Sequence, residues 1–104
     1  MTPVYSTQLI VVQGLTSAAT KVCADGYVMV LRDLDVFYNG LLEASVHMEG
    51  SVGQTIYYNG FAAGGNPQYA SWRGRQVLNA GESVTIVCDQ AQDVSLSGYL
   101  LTTP

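Results

Sequence analysis

Charge is what this sequence has least of. Lys, Arg, Asp and Glu make up 12% of its 104 residues, about half the share usual in soluble domains. A single small domain this short of charge cannot cover itself in polar surface. Part of its apolar surface is therefore expected to be buried against other chains. The basic residues are Lys21, Arg32, Arg73 and Arg75, and the formal net charge is −4. Nucleic acids are held by basic surfaces that displace counterions, so no nucleic-acid partner is expected. Long apolar runs are missing as well: none approaches the ~18 residues of a membrane-spanning helix, and no membrane partner is expected. The start, MTPVYSTQLIVVQGL, has no basic residue, and its apolar run at 9–12 is too short for a signal peptide, which leads us to expect synthesis in a cytoplasm.

Residues that do chemistry are equally scarce. Cys23 and Cys88 lie too far apart for a CxxC motif. Two buried reduced thiols or one inter-strand disulfide both fit. His47 is the only histidine, and it shares one strand face with Glu43 and Glu49. Two carboxylates beside an imidazole suit a weak metal site, but a solvated polar face explains the same residues. Asp33 and Asp35 share a face and suit a cation site or a carboxylate pair, yet no calcium-loop spacing accompanies them, and Arg32 is available to pair with one. There is no Gly-x-Ser-x-Gly elbow. The glycines at 64 and 65 have no phosphate-loop lysine. We therefore assign no catalytic residue, no metal ligand and no cofactor, and we expect a protein that is not an enzyme.

Alternation with a period of two is abundant. Leu42, Ala44, Val46 and Met48 alternate with Glu43, Ser45, His47 and Glu49. Val84, Ile86 and Cys88 alternate with Ser83, Thr85 and Val87; Val94, Leu96 and Leu100 alternate with Ser95, Ser97 and Tyr99. Successive side chains of a strand point to opposite faces, so each pattern buries one row. Further strands are expected over 7–12, from Lys21, over 27–31, 36–38, 54–58 and from Trp72, with Asp33 and Asp35 interrupting the apolar pattern. Asn39-Gly40 and Asn59-Gly60 read as tight turns, as do 24–26, 50–53 and 79–82. Residues 14–20 and 61–71 read as loops, and 89–93 as a hairpin or a crossing between sheets. About eight strands with no helical period predict an all-β, single-domain antiparallel β-sandwich of jelly-roll type. Leu42, Val46, Met48, Val84, Ile86, Leu96 and Leu100 are its expected core. Residues 1–5 read as an extended arm, because Pro3 lacks an amide donor.

Aromatics gather in one place. Tyr57, Tyr58, Phe61, Tyr69 and Trp72 surround a Gly-rich stretch, with Arg73 and Arg75 next to it. Tyr, Trp and Arg dominate protein interfaces. Core packing and a sugar-stacking platform are the other readings of the same cluster. With Pro3, Val4 and Tyr5 of the arm, these residues are the expected contact surface.

Three short stretches carry a resemblance: WRGR at 72–75, NAGES at 79–83 and SGYLLT at 97–102. In pattern the chain resembles small jelly-roll structural proteins of tailed bacteriophages. The resemblance implies a virion component, such as a head decoration, neck, collar or minor tail protein. It implies a homo-oligomer, trimeric or higher, contacting other virion proteins such as the major capsid protein. It supplies no catalytic residues. The alternative is a carbohydrate-binding jelly-roll module for host-surface adhesion, with a glycan as partner.

Overall fold

The computed structural model describes residues 3–65 and 67–103, with side chains described from Thr7 onward. Eight strands follow one another: β1 (Pro3–Leu15), β2 (Ala18–Val22), β3 (Tyr27–Tyr38), β4 (Ala44–Gly50), β5 (Thr55–Phe61), β6 (Gln68–Leu78), β7 (Ser83–Cys88) and β8 (Gln92–Thr102). They form two four-stranded antiparallel sheets, ordered β1-β8-β3-β6 and β2-β7-β4-β5. The sheets pack against each other as a β-sandwich.

The inner rows are the ones that alternation predicts. Val46, Met48, Val84, Ile86 and Leu96 are fully buried, and Leu100 packs at the margin of the same cluster. Leu42 is the exception, 62% exposed. It precedes β4, in the segment that carries the chain from one sheet to the other. The alternating letters continue there, but no strand orients the side chain.

Several turn signals resolve differently. Strands β3 and β4 belong to different sheets, so Asn39-Gly40 opens a crossing instead of a hairpin. Neither residue adopts the positive φ of a tight two-residue turn. Gly40 is small for another reason: a Cβ there would collide with the ring of Tyr38, whose hydroxyl donates to the Leu42 carbonyl. Asn59-Gly60 lies inside β5. Residues 50–53 do turn the chain, with Gly53 at φ 84°. Residues 89–91 cross between sheets, where the Asp89 carboxylate accepts from the Ser45 amide at 2.7 Å. Buried Gln92 then donates to the Ser45 carbonyl at 2.9 Å, tying β8 to the opposite sheet.

Asp33 and Asp35 do not break β3. The strand runs through them because a one-residue bulge at Arg32 shifts the register between Leu31 and Asp33, so both Leu31 and Leu34 point inward. Gly98 sits opposite, where any Cβ would overlap the Val30 carbonyl. The expected loops shrink: β1 reaches Leu15 and β2 starts at Ala18, while Phe61 ends β5 and β6 begins at Gln68. The expected arm is largely strand, since Pro3 already pairs with Leu101; Met1 and Thr2 lie outside the described residues.

Candidate functional site: the outer face of the first sheet

The aromatic cluster divides once the chain folds. Tyr57, Tyr58 and Phe61 belong to β5, at the edge of one sheet, while Tyr69, Trp72, Arg73 and Arg75 belong to β6, at the edge of the other. Phe61 is only 3% exposed and packs on Tyr38, with ring centroids 5.4 Å apart. Tyr57 and Trp72 point inward and pack against the core. Burial raises the Tyr57 hydroxyl pKa. The Trp72 indole lies over Gly74, leaving no room there for a side chain. Ordinary core packing therefore accounts for three of the aromatics.

The outward residues are Tyr58 on the second sheet and Tyr69, Arg73 and Arg75 on the first. Tyr69 is 75% exposed and leans on Phe37, the ring centroids 5.1 Å apart. Pro3, Val4 and Tyr5 lie in β1 at the rim of the same sheet, their backbone running along the end of β8.

Arg73 organises the middle of this face. Its Nη2 is 2.7 Å from Asp35 Oδ1 and its Nε is 3.4 Å from Asp33 Oδ1. Its Nη1 also donates to the carbonyls of Leu34 and Trp72. The bond to Asp35 makes the guanidinium hold its proton more firmly than usual. The partner of the two aspartates is thus Arg73 from the neighbouring strand, not Arg32, which the bulge turns out to solvent. Sequence distance hides this pair; only the β3–β6 register, Asp33 opposite Arg73, reveals it.

Towards one end of the sheet the face turns apolar. Val30 is paired with Tyr99 on one side and with Val77 on the other, and Val28 with Leu101. Tyr99 and Val77 remain 40% and 45% exposed, and Val30 is nearly covered by its neighbours. These side chains sit on outward positions of strands whose opposite sides form the core, so their apolar character is not required by the fold. Sequence reasoning missed this patch because its residues come from three distant strands, and each looks like a minor irregularity in its own alternation.

The remaining candidates are separated from one another. His47 Nε2 lies 3.5 Å from Glu49 Oε2 on the outer face of the second sheet, and Glu43 precedes the strand. Among the described residues no three His, Cys, Asp or Glu side chains gather as a metal site. Cys23 and Cys88 are both buried and free. Their amides donate to Glu82 and Ser17, at opposite ends of the β2–β7 ladder. Six residues of strand separate them by about 20 Å, whereas a disulfide needs Cα atoms within about 7 Å. Burial raises both thiol pKa values, that of Cys88 to about 11, so neither is a ready nucleophile at neutral pH.

No protein-family model matches the chain, and no curated protein matches it.

Proposed function

We propose that the chain is a non-enzymatic structural component of a tailed-phage virion, a capsid decoration or other head, neck or tail accessory protein, acting through oligomeric contacts. The observation that carries this reading is the outward apolar patch of Val28, Val30, Val77, Tyr99 and Leu101 on a domain with only 12% charged residues. The occupant is a second copy of the chain. The five residues carry no charge and are bordered by the exposed Arg32 and Arg75, and symmetric self-contact is the commonest way to cover such a surface.

We read the winding as a jelly roll. Its support is the strand pairing: β1·β8, β2·β7, β3·β6 and β4·β5 are the rungs of one long hairpin, and β3·β8 and β4·β7 arise when that hairpin is rolled up. The three stretches behind the phage resemblance each contain a glycine with a structural task. Gly74 lies under Trp72, Gly81 turns the chain at φ 86°, and Gly98 faces the β3 bulge.

Sedimentation velocity of the wild-type protein and of Val77→Lys tests the proposal. Wild type should sediment as a symmetric oligomer. The lysine variant should shift toward monomer, with a melting temperature close to the parent's, because Val77 is half exposed. A wild type that stays monomeric at high concentration and binds no virion component removes the basis for this reading.

A further inference from the structure

The other end of the same face, beyond Arg73, holds a trench of different chemistry. One wall is the row Asp93, Phe37 and Tyr69, ending near Gln13; the other is Val11, Ser95, Asp35 and Ser71. All lie on outward positions. The floor is the backbone between the rows, at Val12, Val94, Val36 and Ala70, whose side chains enter the core. Four strands about 4.8 Å apart give a trench about 14 Å long, its walls rising from backbone positions about 7 Å apart. Its volume is about 460 Å³, within the ~300–1,000 Å³ usual for small-molecule sites.

The lining restricts the ligand. Tyr69 and Phe37 present aromatic surface at one end, which suits a flat apolar ring face. The rest is rich in acceptors. Asp35 spends Oδ1 on Arg73, and Asp93 spends Oδ1 on the Gly14 amide at 2.9 Å. Each keeps Oδ2 to accept a hydroxyl. Ser71, Ser95 and Gln13 add groups that donate and accept. Asp93 is held by the neutral Gly14 amide and not by a cation, so its carboxylate disfavours an anion. A ligand with an apolar ring face, many hydroxyls and no negative charge is a neutral sugar. We propose that this trench binds a short, uncharged oligosaccharide, stacked on Tyr69 and hydrogen-bonded to Asp35 and Asp93. The site differs from the sugar platform expected of the aromatic cluster as a whole, because Tyr57, Phe61 and Trp72 take no part.

The test is an NMR titration of the isotope-labelled protein with maltotriose, cellotriose and mannotriose, and with trigalacturonate as the anionic control. At least one neutral trisaccharide at millimolar concentration should shift the amides of residues 35–37, 69–71 and 93–95. Tyr69→Ala should weaken that binding about ten-fold while leaving the fold unchanged, as expected for loss of one stacking aromatic. Ser95→Phe, which fills the trench, should abolish it. No shift with any neutral trisaccharide overturns the proposal, as do shifts that survive both variants or equal binding of trigalacturonate. Sedimentation of the same samples reads assembly separately, so Val77→Lys should leave sugar binding intact.

Discussion

The two outer faces of the sandwich are built the same way and carry different chemistry. On the second sheet, Thr20 and Thr85 bond side chain to side chain at 2.9 Å, and His47 approaches Glu49 beside Tyr58. Hydroxyls and charges share that face with Val22, Val87 and Tyr58. On the first sheet, Val28, Val30, Val77, Tyr99 and Leu101 crowd one end, and Phe37 and Tyr69 the other, with the Arg73 ion pairs between. Folding requires only that the inner rows be apolar. An outer row need not be apolar, and exposed apolar side chains occur on both faces: Val22 and Tyr58 on the second sheet, Tyr69, Val77 and Tyr99 on the first. The faces differ in grouping: Val28, Val30, Val77, Tyr99 and Leu101 are cross-strand neighbours on three adjacent strands of the first sheet, whereas Val22 and Tyr58 lie on opposite edge strands of the second.

The largest expected effect comes from the layer that both faces share. Val46→Asp would bury an unpaired charge between the sheets and should cost more than about 4 kcal/mol, enough to unfold the domain. Thermal melting matching the parent would mean that the β4 side chains face the other way. Gly98→Val acts on the first sheet alone. Its side chain would push into the backbone of the β3 bulge beneath Val30, at a cost of about 3 kcal/mol. The same displacement should disturb the apolar patch, so self-association should fall along with melting temperature.

The thiols sharpen the second sheet's side of the comparison, since they bracket the β2–β7 ladder. Cys88 titrates near 9.0 when unfolded and near 11 when folded. Below pH 9 both states hold the proton and its contribution to stability is complete. Between about 9 and 11 the unfolded chain releases the proton first, so stability should decline as pH rises. Urea unfolding at a series of pH values checks this, and Cys88→Val should lessen the decline, the rest coming from Cys23 and Tyr57, whose pKa values burial also raises. In the same samples, a thiol reagent at pH 8 should modify neither cysteine until urea is added. Rapid labelling of the native protein would contradict the burial described here.

The smallest effect belongs to Arg73→Ala. The ion pairs with Asp33 and Asp35 are more than half exposed on the arginine side, and such pairs contribute about 1 kcal/mol or less. Stability should barely change. The two aspartates, Asp35 on the trench wall and Asp33 between trench and patch, would then lie unneutralised, so oligomer mass should respond more than melting temperature does. If both stay unchanged, the middle of the face takes no part in contact.

The sequence by itself determined the class of fold, the number of strands and most of the core. Alternation in 44–48, 83–88 and 94–100 is a local signal, set by the two-residue period of a strand, and tertiary packing had no reason to override it. It also showed the shortage of charge. Only the tertiary structure decided which strands are neighbours. That choice turned Asn39-Gly40 into a crossing, exposed Leu42 and placed a bulge where the letters suggested a break. It also paired Asp33 and Asp35 with Arg73, and divided one run of aromatics between the core and two surfaces. Strand pairing joins residues far apart in the chain, and its register rests on bulges and crossings whose cause lies in the partner strand. Gly98, which makes the bulge at Arg32 possible, is such a cause.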